Sequence, residues 1–217
     1  MPVSSNYIPV YIAVDGLRII VAGAGRIATR KLADLVGQGA CIEVYGNTCS
    51  PEIKEWAQAG WLVYHQGLPD INVITANTLL INTIADSEWG QICRQRCNEV
   101  GALLNDATNA EAGNCIMPAT VRCGQALLAI ATGGASPRLT KLLKEDWQRR
   151  YGDLGQVLDD MKEMRELVRK KVDSSHEREA FWKERITTAT LLALEKGKWP
   201  DVKGEIEDAI GRLGLKS

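Results

Sequence analysis

A short glycine-rich stretch, placed between an apolar run and a helix-like pattern, is the feature that most constrains this chain of 217 residues. The apolar run at residues 19–22 leads into Gly23, Ala24 and Gly25, and a helical pattern follows. In the spacing Gly23-x-Gly25-x-x-Ala28, the first glycine makes the turn, the second lets a pyrophosphate approach the backbone, and the third position packs helix on strand. We therefore predict a strand, a turn and a helix that bind a dinucleotide. The alternative is a glycine turn that only joins the two elements.

Strand-like and helix-like segments alternate through the first part of the chain. Such alternation predicts an α/β fold with a Rossmann-like, doubly wound parallel sheet. An apolar, extended edge segment at residues 7–14 precedes the first strand. The predicted strands cover residues 17–22, 41–45, 61–65, 78–83, 102–105 and 125–131, and the predicted helices cover residues 26–38, 51–59 and 87–100.

The composition changes after Pro137, where charges become frequent and β-branched runs become rare. Helical patterns cover residues 139–151, 154–172 and 177–195. Apolar residues recur at amphipathic spacing along the second of these, which indicates packed helices rather than a low-complexity tail. The C-terminal half is therefore predicted to be helical.

The charge and hydropathy of the chain limit the classes of partner that it is expected to bind and the cellular compartment in which it is expected to lie. A formal net charge of -1 and a pI near 6.2 argue against general binding to nucleic acid or to anionic membranes. No stretch approaches the roughly 20 apolar residues that span a bilayer, and residues 1–5 lack a basic region followed by a long apolar run. We predict a cytoplasmic protein whose partners are small molecules.

The cysteines do not predict a metal site. All six are spread along the chain rather than crowded as in a disulfide-framed scaffold. Cys93 and Cys97 are four residues apart in a predicted helix, a spacing that brings both sulfurs to one face. Because no further cysteine or histidine pair accompanies them, we predict core packing.

The end of the second predicted strand lacks the acidic residue that usually binds the adenosine ribose of NAD. The sequence there is Tyr45-Gly46-Asn47-Thr48. Asn47 and Thr48 are therefore predicted to be neutral partners of the ribose, and the choice between NAD and NADP stays open.

Ordered segments along nearly the whole chain carry a family resemblance. They are residues 21–31 around the glycine turn, Cys115-Ile116-Met117-Pro118-Ala119, residues 131–137 with Gly133-Gly134-Ala135-Ser136-Pro137, and residues 178–183 with Phe181-Trp182. They resemble, in the same order, segments of the precorrin-2 dehydrogenase family, to which the dehydrogenase module of siroheme synthase belongs. Because no methyltransferase module follows, we expect the free-standing form.

The resemblance implies a role in siroheme biosynthesis. The reaction removes a hydride and a proton from precorrin-2, with NAD as the cofactor and sirohydrochlorin as the product, and some members also insert Fe²⁺ to give siroheme. The resemblance assigns the catalytic role to Asp106. This choice makes chemical sense, because a carboxylate held near an apolar tetrapyrrole can have its pKa raised toward working pH and can accept pyrrole protons displaced by an incoming metal. The alternative is a turn-capping aspartate without a chemical role.

The resemblance and the glycine turn together name the binding residues. The expected cofactor-binding residues are Gly23, Gly25, Arg26, Ile27, Asn47, Thr48 and Thr83. The expected substrate-binding residues are Thr132, Gly133 and Arg138, and further candidates for the substrate carboxylates are Arg122, Lys141, Lys144, Arg149 and Arg150.

Three regions follow from the patterns and the resemblance: an NAD-binding Rossmann domain at residues 1–110, a central dimerisation region of strand and helix at 111–150, and a helical C-terminal domain at 151–217. The family implies a homodimer, although amphipathic helices fit intramolecular packing equally well. The alternative function is an NAD-binding regulator or sensor without turnover.

Overall fold

The computed structural model of the protein describes residues 7–213, so residues 1–5, on which part of the localisation prediction rests, lie outside the described residues. The chain divides into two compact units, one that ends at Met117 and one that begins at Pro118. Among the described residues, two hydrophobic core clusters lie in the first unit and one lies in the second.

A five-stranded parallel sheet forms the centre of the first unit, in the strand order β3-β2-β1-β4-β5. The predicted Rossmann-like, doubly wound sheet is confirmed. Its strands are β1 (Arg18–Ala22), β2 (Cys41–Gly46), β3 (Val63–Gln66), β4 (Thr78–Asn82) and β5 (Leu103–Asp106). The helices of this unit are α1 (Arg26–Leu32), α2 (Pro51–Gln58) and α3 (Ser87–Val100), with a 3₁₀ turn at Ile71–Val73.

The central strands β1 and β4 are buried on both faces of the sheet, which explains why they are continuous apolar runs. Ile19 and Val21 of β1 pack with Leu32 of α1 on one face, and Ile20 packs with Cys97 of α3 on the other. The strand order reverses between β1 and β4. The carboxyl edge of these two strands is therefore the switch point at which doubly wound sheets bind ligands.

Some predicted boundaries in the first unit are wrong. Helix α1 ends at Leu32 rather than at residue 38. Turns follow it, and Gly37 and Gly39 have φ of +74° and +88°, a left-handed backbone that glycine adopts readily and a helix excludes. Strand β5 ends one residue later than predicted. Asp106 is therefore the last residue of the strand and not part of the loop.

The second unit combines a hairpin with helices. Strand β6 (Ala119–Cys123) pairs antiparallel with β7 (Ala126–Ile130) across a turn in which Gly124 has a φ of +57°. The predicted helical C-terminal half is confirmed. Its helices are α4 (Pro137–Tyr151), α5 (Leu154–Lys171), α6 (Ser175–Arg185), α7 (Thr188–Glu195) and α8 (Trp199–Arg212).

The second unit also corrects the sequence prediction. The strand predicted at residues 125–131 does not join the parallel sheet, because it is β7 of the hairpin. The helix predicted at residues 177–195 is two helices: the N–H of Ile186 closes α6, and the side chain of Thr190 accepts a hydrogen bond from the N–H of Thr187 before α7. The sequence patterns do not predict β6 or α8.

The segment at residues 7–14 forms neither helix nor strand, and its apolar side chains, such as Ile8 and Val10, are exposed. It therefore adds no edge strand to the sheet. None of the helices between residues 7 and 213 is both long enough and apolar enough to cross a membrane.

Candidate active site

The glycine turn joins β1 to α1 with the backbone that the dinucleotide fingerprint requires. Gly23 has a φ of +100°, in the left-handed region that favours glycine, and its N–H donates a hydrogen bond of 2.8 Å to the carbonyl oxygen of Tyr45. A Cβ on Gly23 would overlap Oγ1 of Thr83. Both the conformation and the close approach therefore require glycine at this position.

The second glycine leaves the start of α1 open. Gly25 immediately precedes the helix, and a Cβ built on it would meet no atom within 4 Å. In the described part of the chain, no side chain caps this helix. Ala28 is fully buried, whereas Arg26 and Ile27 are exposed in the first turn. This open backbone fits the pyrophosphate of NAD or NADP.

The end of β2 lies against the glycine turn. A Cβ on Gly46 would lie 2.9 Å from Cβ of Ala24, so glycine is needed for this approach too. Asn47 and Thr48 follow and are exposed. Glu43, the carboxylate of this strand, is engaged within the sheet in an ion pair. Neutral side chains therefore stand where a carboxylate usually meets the adenosine ribose.

Thr83 follows β4 and ties it to the glycine turn. Its N–H and its hydroxyl both donate hydrogen bonds to the carbonyl oxygen of Ala22, at 2.8 and 2.9 Å. The structure thus brings the predicted cofactor residues of β1, α1, β2 and β4 to one edge of the sheet. Their contact with a cofactor stays a prediction.

Asp106 ends β5 beside Asn82, its register partner in β4. The residue is only 4% exposed and accepts four hydrogen bonds. Oδ2 accepts one from Nδ2 of Asn82 at 3.0 Å. Oδ1 accepts one from the Thr108 hydroxyl at 2.7 Å and two from the N–H groups of Thr108 and Asn109 at 2.8 and 2.9 Å. The carboxylate is therefore held in one orientation.

These hydrogen bonds lower the pKa of Asp106. Burial acts to raise the pKa of Asp106, because the charged form loses hydration. The hydrogen bonds from Asn82, Thr108 and Asn109 outweigh burial and hold this pKa below its ordinary value. The carboxylate is therefore ionised at neutral pH, and a rise of its pKa beside a bound tetrapyrrole stays a prediction. Asp106 also caps the turn after β5, which was the alternative role.

A cavity of about 420 Å³ opens beside Asp106. One of its walls is a face of α3, formed by residues at the helical spacing i, i+3, i+4 and i+7. A Cβ on Gly90 would lie 3.6 Å from Oδ2 of Asp106, so the helix backbone comes close to the carboxylate there. The helix residues are Ser87, Gly90, Gln91 and Arg94, and the strand and loop residues include Asp106, Thr108 and Asn109.

The predicted substrate-binding residues Thr132, Gly133 and Arg138 belong to the second unit. Gly133 lies in a turn closed by a hydrogen bond of 3.0 Å from the N–H of Ala135 to the carbonyl of Thr132. The Thr132 hydroxyl is 2.8 Å from that of Thr140, and Arg138 is exposed at the start of α4. Their role in substrate binding stays a prediction.

Ion pairs engage several of the other basic candidates. Lys141 pairs with Glu145, and Arg149 and Arg150 both pair with Asp146. A substrate carboxylate would have to displace these partners.

Within residues 7–213, no group of three or more His, Cys, Asp or Glu side chains is arranged to hold a metal ion. Cys93 and Cys97 are 0% and 1% exposed, so their predicted core packing is confirmed. Burial is the main cause that raises the pKa of Cys93 to about 12 and that of Cys97 to about 11.

The sequence analysis missed the residues that surround Asp106. Asn82 ends the apolar strand β4. A polar amide at the end of such an apolar run was the sequence feature that could have indicated a functional residue. Gln91 and Arg94 lie on one helical face with Ser87, a spacing that is visible in the sequence. Only the order of the strands shows that this face meets Asp106.

Known proteins resemble this chain in sequence and in structure. A family model described as "Putative NAD(P)-binding" matches residues 10–119, half of the chain. A precorrin-2 dehydrogenase of Priestia megaterium is 33% identical over 145 residues, which cover 66% of this chain and 71% of that protein. A solved structure of SirC, a precorrin-2 dehydrogenase, matches with a TM-score of 0.73 at 28% identity and covers 93% of this chain and 100% of that chain.

Siroheme synthases match over a similar part of the chain but are longer. The siroheme synthase of Nitrosococcus oceani is 26% identical over 209 residues, which cover 94% of this chain and 44% of that protein. The chain thus spans less than half the length of the siroheme synthase it matches.

Proposed function

The chain belongs to the NAD(P)-binding family of the precorrin-2 dehydrogenases, and from this membership we propose that it oxidises precorrin-2 to sirohydrochlorin with NAD. In this reaction precorrin-2 and NAD⁺ give sirohydrochlorin, NADH and a proton. The observation that carries the proposal is the ionised Asp106, which lines a cavity at the same sheet edge as the glycine turn.

The first unit supplies the contacts for the cofactor. The open backbone at Gly25 would hold the pyrophosphate, and Asn47 and Thr48 would bind the adenosine ribose. When bound, NAD supplies the acceptor for the hydride. No carboxylate at the end of β2 selects NAD over NADP. The choice of NAD is therefore itself part of the proposal.

Asp106 stabilises charge and accepts the proton. Loss of a hydride leaves the macrocycle positively charged until a proton also departs. A fixed carboxylate stabilises such charge without reorganising, and Asn82 and Thr108 hold it in place. Oδ2 accepts one hydrogen bond in the structure and so retains capacity for a substrate N–H. When the macrocycle displaces water, the pKa of Asp106 rises and the carboxylate becomes a better proton acceptor.

We extend the proposal to ferrous iron insertion into sirohydrochlorin. Fe²⁺ displaces protons from the pyrrole nitrogens, and an ionised carboxylate in the cavity is a suitable acceptor for them. Asp106 is the feature that supports this step.

We also propose a homodimer in the cytoplasm. Leu139, Leu142 and Leu143 of α4 are 49%, 44% and 44% exposed, at a spacing that places them on one side of the helix. No residue of α4 is buried, and an exposed apolar face of this kind favours a partner. The face lies within residues 111–150, the region expected to dimerise.

The test is an anaerobic absorbance assay with precorrin-2 and either NAD or NADP, followed by addition of Fe²⁺. We expect the wild type to form NADH and sirohydrochlorin, and then siroheme faster than the uncatalysed background. Asp106→Asn should lower the rate of dehydrogenation about a hundredfold, and Glu111→Gln, an exposed carboxylate on the neighbouring loop, should keep it. If the protein bound NAD or NADP but formed no NADH or NADPH, the proposed dehydrogenase activity would be refuted and the alternative of an NAD-binding sensor would be supported.

A further inference from the structure

We propose that Arg94 anchors a carboxylate side chain of the tetrapyrrole in the cavity beside Asp106, and that this contact selects a polycarboxylate substrate. The inference rests on the proposed function and deepens it. It concerns a residue on α3, in the first unit, rather than the basic residues after β7.

The face of α3 that lines the cavity is rich in hydrogen-bond donors. Ser87, Gln91 and Arg94 follow one another at intervals of four and three residues, so a hydroxyl, an amide and a guanidinium share one wall. A carboxylate needs donors of this kind, and a guanidinium can bind both of its oxygens at once. The wall therefore has the chemistry of a carboxylate subsite.

Arg94 is the cation of this cavity lining, which also contains the carboxylates of Asp86 and Asp106. Both carboxylates have other partners: Asp86 accepts a hydrogen bond of 3.0 Å from the N–H of Trp89, and Asp106 accepts those described above. Among residues 7–213, no hydrogen bond or ion pair joins Arg94 to either carboxylate. Arg94 is exposed to solvent, so a ligand that enters the cavity can reach its guanidinium.

The charges make Arg94 decisive for a polyanion. Without it, the cavity would present two carboxylates and would repel a ligand that itself bears carboxylates. With it, the positive charge and the fork of donors offset that repulsion.

The size of the cavity also fits a part of the substrate. Its volume of about 420 Å³ lies near the lower end of the roughly 300–1,000 Å³ of small-molecule pockets. This volume suits one pyrrole ring with its acidic side chains rather than the whole macrocycle. Anchoring one ring here would bring it to Asp106.

The experiment measures anaerobic binding of sirohydrochlorin by absorbance titration, together with steady-state kinetics, on the full chain. We expect Arg94→Gln to weaken binding and to raise KM for precorrin-2 by about tenfold to a hundredfold, as loss of a charge-assisted hydrogen bond implies. Arg94→Lys should fall in between, because it keeps the charge and loses the fork. Arg169→Gln, an exposed arginine on α5, should stay within about twofold of the wild type.

A second variant separates anchoring from a structural role. Asp86→Asn removes one negative charge of the cavity, and asparagine caps a helix as well as aspartate does. In the Arg94→Gln background it should recover part of the lost affinity for sirohydrochlorin. A purely structural role of Arg94 would give no such recovery.

The outcomes distinguish the two proposals. If Arg94→Gln left the affinity for sirohydrochlorin and the KM for precorrin-2 unchanged, the role of Arg94 would be refuted. Turnover by the wild type would in that case still support the dehydrogenase activity. A raised KM for NAD with unchanged sirohydrochlorin binding would also overturn it, since Arg94 would then serve the cofactor. If the wild type bound sirohydrochlorin through Arg94 but made no NADH, the role of Arg94 in binding would be supported and the dehydrogenase activity would be refuted.

Discussion

The side-chain amide of Asn82 donates a hydrogen bond of 3.0 Å to Oδ2 of Asp106, across the neighbouring strands β4 and β5. Asn82 is fully buried, and its Oδ1 accepts a hydrogen bond of 3.1 Å from the N–H of Ile84. Because both ends of the amide are engaged, its orientation is fixed, and it fixes that of the carboxylate. Asn82 and Asp106 thus form an oriented polar pair at the carboxyl edge of β4 and β5.

Asp106 should make the stability of the protein depend on pH on the acid side. Its folded-state pKa lies below the ordinary value of about 3.9, so its contribution is complete above that value and is lost as pH falls through the folded pKa. We expect the free energy of unfolding to fall more steeply below about pH 4 in the wild type than in Asp106→Asn. Urea denaturation at a series of pH values measures this, and parallel curves would contradict it.

Gly23→Ala should destabilise the first unit by more than about 1 kcal/mol, because its φ is positive and the new Cβ would overlap Oγ1 of Thr83. In a Thr83→Ala background the cost should be smaller, since the overlapping atom is gone. Thermal unfolding of the single and double variants measures the difference, and equal costs in the two backgrounds would refute the contact.

Gly25→Ala should separate stability from cofactor binding. Its backbone φ is negative, and no atom lies within 4 Å of the new Cβ, so the melting temperature should change by less than about 2 °C. The methyl group would nevertheless stand where a pyrophosphate approaches the backbone. We expect calorimetry to show weaker NAD binding, and wild-type affinity would argue against this site.

Leu142→Glu should convert a dimer into a monomer, because it places a charge on the exposed apolar face of α4. Size-exclusion chromatography with light scattering measures the mass. Leu167→Glu is the matched control, since Leu167 is also about half exposed but lies on α5. A wild type that elutes as a monomer would contradict the proposed assembly.

Asp160→Ala should destabilise the helical unit by about 1–3 kcal/mol, because it leaves a buried donor unpaired. Asp160 is 8% exposed and accepts hydrogen bonds of 2.7 Å from Nε1 of Trp199 and 3.0 Å from Nζ of Lys203. The neighbouring, exposed Asp159→Ala should be nearly neutral. Chemical denaturation followed by tryptophan fluorescence compares them, and equal losses would show that the network adds no stability.

The β1–α1 unit could be predicted from the sequence because its determinants are local. Gly23, Gly25 and Ala28 lie within six consecutive residues, and each acts on the turn to which it belongs. The apolar strands of the sheet could be predicted for a similar reason, since burial on both faces produces continuous runs. The helix ends depended on neighbours farther away, as the early end of α1 and the break at Ile186 and Thr187 illustrate.

The sequence by itself thus determined the dinucleotide fold, the family motifs and Asp106 as the residue to examine. Only the tertiary structure decided what surrounds Asp106, because the strand order brings Asn82 and Gly90 against it and places Arg94 in the lining of the same cavity. It also decided the direction of the pKa shift of Asp106. Burial and hydrogen bonding act on that pKa in opposite senses, and only their positions in three dimensions show that the hydrogen bonds prevail.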